Sequence, residues 1–115
     1  SKSYDPIHVQ GEKEGDVLVI GWGGTYGAIS SAAKTLQDEG YSISSIHLRH
    51  LNPLPSDLGE LLNSFKKIIV PELNLGQLSI ILKAKYVRDI IGYNKLQGKP
   101  FKVTELREQF VKHLS

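Results

Sequence analysis

Two glycine-bearing loops hold the residues best suited to chemistry. The first, Gly21-Trp22-Gly23-Gly24-Thr25-Tyr26-Gly27, follows a short apolar run and precedes a helical stretch. Glycines in such a loop let backbone amides approach a phosphate, and the helix N-terminus behind them favours an anion. That points to a nucleotide or a small anion. The spacing is Gly-x-Gly-x-x-x-Gly, however, with Tyr26 at the sixth position of the dinucleotide fingerprint. The strand that should end in a ribose-binding acid ends instead in His47, Leu48, Arg49 and His50. Arg49 alone is thin support for a 2′-phosphate, and the plainer reading is a tight strand-to-helix turn. The second loop, Pro71-Glu72-Leu73-Asn74-Leu75-Gly76-Gln77, gathers a carboxylate, an amide and a glycine, a set able to position a polar ligand or a neighbouring subunit. Helix initiation accounts for it equally well: Asn74 caps, Gly76 turns and Glu72 complements the helix dipole.

The other reactive side chains do not converge. His47 and His50 stand three apart near the end of a strand, so they point to opposite faces and cannot share a metal. His113 sits near a helix C-terminus, where a cation is favourable, and His8 lies in the polar lead-in. No local Ser–His–Asp signature is visible. The chain has no cysteine, which excludes disulfides, thiolate nucleophiles and thiolate ligands for zinc or iron–sulfur clusters. No catalytic, metal-binding or cofactor-binding residue is therefore assigned. Lys83, Lys85 and Arg88 read as a solvated helix edge, and Trp22 as an interface anchor or a core aromatic.

Composition narrows the class. The 115 residues suit one domain, and 40% apolar with 23% charged residues is the balance of a globular chain. Fourteen basic against twelve acidic residues leave a net charge of +2, without the concentrated basic face of a nucleic-acid binder. No apolar run reaches the roughly 18 residues of a spanning helix, and no signal-peptide pattern opens the chain. The absence of methionine and the Ser-Lys-Ser start suggest a piece or processed product of something longer.

The elements that position the loops follow from periodicity. Residues 1–15 form a polar lead-in, with a short edge strand expected at Pro6-Ile7-His8-Val9; residues 16–115 form the domain. Asp16 to Gly21 is a continuous apolar run, the mark of a strand buried on both faces. Ala28, Ile29, Ala32, Ala33 and Leu36 fall on one stripe of a helix from Thr25 to Glu39, which Gly40 ends as a left-handed cap. Tyr41–Leu48 is a more polar strand nearer the sheet margin. After the stiff Asn52-Pro53-Leu54-Pro55 loop, Ser56 is expected to cap a helix carrying Leu58, Leu61, Leu62 and Phe65. Lys67 to Val70 is a third buried strand, stopped by Pro71. A helix from Gln77 to about Val87, a strand from Ile90 to Leu96 closed by Gly98 and Pro100, and a Thr104-capped helix with Leu106, Phe110 and Leu114 complete the chain. Alternation of strand and helix almost without exception predicts a three-layer α/β/α domain with a mostly parallel sheet of about five strands.

Four segments occur in order: Val-Ile-Gly-Trp-Gly-Gly-Thr-Tyr-Gly (19–27), Leu-Arg-His-Leu-Asn-Pro-Leu-Pro (48–55), Pro-Glu-Leu-Asn-Leu-Gly-Gln-Leu (71–78) and Gly-Lys-Pro-Phe (98–101). Together they resemble the C-terminal domain of the alpha subunit of 2-oxoacid:ferredoxin oxidoreductases, including the 2-oxoglutarate enzymes, over roughly Asp16 to Phe110. The resemblance implies a domain like the C-terminal domain of transketolase, whose first edge strand runs antiparallel. It implies a parent complex using thiamine diphosphate, magnesium, an iron–sulfur cluster and coenzyme A to convert a 2-oxoacid to acyl-CoA, with electrons passed to ferredoxin. Its partners would be the remainder of the alpha subunit, the beta subunit and ferredoxin, with neither nucleic acid nor membrane, in the cytoplasm. The thiamine- and cluster-binding residues of that family lie elsewhere, so the implied role of this piece is assembly, with no cofactor bound here. Gly21, Trp22, Gly23, Thr25, Tyr26 and Gly27, with Glu72, Asn74, Gly76 and Gln77, match the family's loops and are the expected contact surface; alanine at Glu72 and Asn74 is expected to weaken association. The alternatives are a small nucleotide- or anion-binding module using Gly21–Gly27, or the matching domain of another thiamine-diphosphate enzyme.

Overall fold

A computed structural model describes residues 7–49, 54–73, 77–86, 88–95 and 99–114. Five strands form one sheet: β1 (Val9–Gln10), β2 (Gly15–Trp22), β3 (Ile43–Leu48), β4 (Phe65–Leu73) and β5 (Ile90–Lys95), in spatial order β1-β3-β2-β4-β5. β2 to β5 run parallel, and β1 pairs antiparallel with β3 at one edge, as the resemblance implied. Four helices connect or follow them: α1 (Tyr26–Asp38), α2 (Leu58–Leu62), α3 (Gln77–Lys85) and α4 (Val103–Lys112).

The alternation along β2 explains the layers. Leu18 and Ile20 join Leu58, Leu62, Leu78 and Leu82 in a core beneath α2 and α3. Val17 and Val19 join Ile29, Ala32, Ala33, Leu36, Leu106 and Phe110 in a second core beneath α1 and α4. A period of two along the strand thus feeds both cores. Beyond α1, Gly40 takes φ +96°. Its N–H donates to Gln37 O at 3.0 Å and that of Tyr41 to Leu36 O at 3.0 Å. This is the paired bonding of a left-handed helix stop, as the glycine predicted.

Several boundaries differ from expectation, each for a physical reason. The edge strand lies at Val9–Gln10, later than Pro6–Val9, because polar contacts set its register. Gln10 Nε2 donates to Ser30 O at 3.1 Å, Gln37 Nε2 donates to Gln10 O at 3.1 Å, and the Ser45 hydroxyl donates to Gln10 Oε1. Phe65 opens β4 instead of closing α2; it fills the same core as Leu58 and Leu62, so it keeps their spacing without sharing their helix. Pro71 does not stop β4, which continues to Leu73. Pairing of β4 with β2 ends at Val19–Ile69, so the proline meets a ladder on the β5 side alone. Ser56 does not cap α2: Asp57 holds the N-cap position without a side-chain bond, and Leu58 N–H donates to Pro55 O at 3.2 Å. Thr104 falls inside α4, whose start is closed by Glu105 accepting the Lys102 N–H at 2.7 Å. His50, the Asn52-Pro53 part of the stiff loop, Asn74, Gly76, Val87, Leu96 and Gly98 lie outside the described residues.

Glu105 also ties α4 to the sheet. Lys95 Nζ donates to it at 2.6 Å and the Tyr93 hydroxyl at 3.2 Å, while Lys95 stands 5.7 Å from the centre of the Phe101 ring. The Lys95 bond first, then the Lys102 amide, hold the Glu105 carboxyl below the usual range. A lowered folded-state value makes the carboxylate stabilising above the ordinary Glu pKa of about 4.3, and that stability is lost as pH falls through the folded value. Urea unfolding of the Glu105→Gln variant should therefore show a lower midpoint at neutral pH and a shallower loss of stability below about pH 4.3 than the parent.

Candidate functional site

The sheet order sets the carboxyl ends of β2 and β4, from which the two candidate loops leave, side by side at the switch point of the sheet. From β2 the chain crosses through α1 to β3 on one side, then returns through α2 past β2 to β4 on the other. The winding reverses between β2 and β4, and α1 and α3 leave those strands toward opposite faces. A crevice outside the carboxyl ends of two such strands is where open α/β sheets bind ligands. The 3-10 turn Gly23–Thr25 after β2 packs directly against β4.

On the β2 side, the loop residues divide by direction. Gly21 is buried, and a Cβ there would stand 2.8 Å from Ile29 Cδ1 and 3.1 Å from Tyr26 Cδ1, so this glycine lets α1 lie close on its strand. Tyr26 also turns inward. Its hydroxyl shares a 3.1 Å hydrogen bond with Ser45 Oγ, and its ring stacks on His47 at 4.7 Å with 4° between planes. Thr25 serves the turn itself, donating from Oγ1 to Trp22 O at 3.0 Å. Trp22, by contrast, is 39% exposed. Gly23 takes φ +68°, and a Cβ at Gly23, Gly24 or Gly27 would meet no atom within 4 Å. The outer wall of the loop is bare main chain beside an exposed indole.

On the β4 side, Glu72 points inward. It is 6% exposed, accepting the Leu78 N–H on Oε1 at 2.6 Å and the Ser79 N–H on Oε2 at 2.9 Å. The carboxylate therefore closes the first turn of α3. Gln77 is the first residue of that helix. The helix-initiation role expected for Glu72 holds, and its side chain offers little surface for contact.

The remaining candidates stay apart. His47 is exposed on β3, and His113 follows α4, where its backbone O accepts from Lys67 Nζ at 3.2 Å. Burial first, then the nearby Lys67 and Lys112, lower the His113 pKa. Among the described residues no three His, Cys, Asp or Glu side chains gather as a metal site. No described helix is long and apolar enough to cross a membrane. Lys83 and Arg88 line a shallow cleft with Ala84, Tyr86 and Asp89, away from the loops. Sequence reasoning missed the half-buried polar set of Gln10 and Tyr26 around the buried Ser45; two adjacent serines in an otherwise apolar strand were the available signal.

Fold and crevice together define a three-layer α/β domain of the kind found in transketolase. A solved split-gene transketolase, an inactive beta4 tetramer, superposes with a TM-score of 0.65 over 86% of this chain and 38% of its own, at 19% identity. The model of the pyruvate:ferredoxin oxidoreductase core domain II matches residues 15–106, and the chain belongs to that family. The 2-oxoglutarate oxidoreductase subunit KorA of Mycobacterium tuberculosis is 41% identical over 93 residues, covering 81% of this chain and 14% of that protein. The 2-oxoglutarate:ferredoxin oxidoreductase of Magnetococcus marinus, solved with 2-oxoglutarate, coenzyme A and succinyl-CoA bound, gives a TM-score of 0.90 at 32% identity, over 97% of this chain and 20% of that one. The chain thus spans about a seventh to a fifth of these relatives.

The contact at Gly21 yields a direct expectation. Gly21→Ala should destabilise the fold by about 1–3 kcal/mol, because Ile29 and Tyr26 are packed where the methyl must go. A lowered urea midpoint with an unchanged slope is the expected reading; a midpoint equal to the parent's would contradict the close-packing role.

Proposed function

We propose that this chain is the non-catalytic assembly domain of a 2-oxoacid:ferredoxin oxidoreductase alpha subunit, of the 2-oxoglutarate type. The complex would oxidatively decarboxylate a 2-oxoacid with coenzyme A, giving acyl-CoA and carbon dioxide, and pass the electrons to ferredoxin. The observation that carries this reading is the family match over residues 15–106 together with the agreement at 0.90 with a 2-oxoglutarate enzyme. Thiamine diphosphate, magnesium, an iron–sulfur cluster and coenzyme A are groups of the parent complex in this reading. The donors of this chain do not fit the metal groups: it has no cysteine to ligate a cluster, and its buried carboxylate, Glu72, already holds two backbone amides. Those groups belong to the remainder of the alpha subunit and the beta subunit, in a soluble cytoplasmic assembly.

The contact surface in this reading is the outer wall of the first loop: Trp22, Gly23, Gly24 and Gly27. Glycine in a helix is less favourable than alanine by about 1 kcal/mol, and no neighbour within this chain requires it at Gly27. An exposed tryptophan beside main chain without side chains suits close approach by another protein surface. Tyr26 and Gly21 hold the wall in place from behind, and Glu72 fixes the neighbouring helix. The anion-binding alternative draws on the lack of any capping side chain at the start of α1; a phosphate-dependent rise in melting temperature, abolished by a bulky residue at Gly24, would favour it instead.

The experiment compares two variants in the full-length subunit, with assembly followed by sedimentation and activity by 2-oxoacid-dependent dye reduction. Trp22→Ala should leave the melting temperature nearly unchanged and weaken association about tenfold or more. Gly27→Ala should raise the melting temperature, by up to about 1 kcal/mol of added helix stability, while also weakening association. A stabilised Gly27→Ala subunit that assembles normally would count against the contact surface.

A further inference from the structure

The two helix N-termini at the switch point are treated differently. α1 starts from the 3-10 turn with no side-chain cap and no acidic residue in its first turn. α3 is met by a carboxylate of its own chain. Glu72 presents one oxygen to each of two successive amides, Leu78 N–H at 2.6 Å and Ser79 N–H at 2.9 Å. A free carboxylate or phosphate would engage the first turn of a helix in the same manner. The group is held from behind by β4, where Glu72 pairs in register with Asn94 of β5, and it is almost wholly shielded from water at 6% exposure. Charge-assisted bonds to amides are about twice as strong as neutral ones, so an outside anion would have to displace a bound and pre-positioned one.

We propose that Glu72 acts as an internal anion, occupying the Leu78 and Ser79 amides of α3 with the chain's own carboxylate and closing them to phosphate and carboxylate ligands. The charge is what α3 requires at its start, and an exogenous small carboxylate can take the place of the side chain when it is removed. This inference is independent of the assembly reading, since it concerns the binding capacity of the domain by itself.

Thermal unfolding of the full chain tests it, in sodium acetate against sodium chloride at equal ionic strength. The parent should melt at the same temperature in both salts. Glu72→Ala should melt lower in chloride and recover by about 4 °C in acetate well above its apparent dissociation constant. Glu72→Gln, which keeps an acceptor but no charge, should melt below the parent. Equal melting of Glu72→Ala in the two salts, or an acetate-specific rise in the parent, would overturn the proposal. Should Glu72→Ala fail to fold in either salt, the parent decides: the amide resonances of Leu78 and Ser79 should stay fixed as millimolar phosphate is added, and their displacement would show the site to be open.

Discussion

The middle of β2, from Val17 to Ile20, has no face that can meet water. Val17, Leu18, Val19 and Ile20 are each fully buried, two of them turned into each core. A parallel strand in that position must have neighbours on both edges and helices on both sides. β3 and β4 supply the edges, and α1 and α2 must leave toward opposite faces to reach them. The reversal of winding beside β2 is thus a consequence of burying this strand, and the crevice follows from the reversal. Each candidate loop is the exit from one of these buried strands.

Polar groups within the domain are satisfied by fixed partners on the same chain. The carboxylate of Glu72 takes two amides, Ser45 joins Gln10 to Tyr26, and Gln37 joins β1 to the end of α1 by donating to Gln10 O and Ile43 O. No buried side-chain nitrogen or oxygen among the described residues lacks a partner. Buried polar networks that are fully satisfied rigidify a fold.

The parts legible in the sequence were those fixed by apolar period and by backbone chemistry. Asp16 to Gly21 read as a doubly buried strand because it is one, and Gly40 read as a helix stop because its φ requires glycine. The less legible parts were set by contacts between distant residues. β1 keeps the apolar Val9 but extends to Gln10, which bonds Ser45 thirty-five residues away, and leaves Ile7 outside the strand. Phe65 shares a core with Leu58 and Leu62, and spacing alone cannot tell a shared core from a shared helix. Thr104 looked like a cap because threonine favours that role, but Glu105 reaches back to the Lys102 amide and moves the helix start. At the site, type and spacing marked the right loops without telling which residues turn inward. Tyr26 is half-buried through its stack on His47 and its bond to Ser45, and Glu72 is buried through two amides of α3.

The two loops divide the work of the crevice. On the β4 side the Glu72 side chain turns inward and holds two amides of α3. On the β2 side the side chains have been withdrawn: Gly23, Gly24 and Gly27 leave open space, and Trp22 stands beside it. The glycines at the β2 loop therefore serve two physical ends within seven residues. Gly21 is bare because α1 presses on it from inside; Gly24 and Gly27 are bare with nothing of this chain near them. Steric necessity explains the first and cannot explain the other two. A glycine-rich loop at the end of a buried strand is thus not one motif but two, an inner one that packs the domain and an outer one that leaves its main chain open.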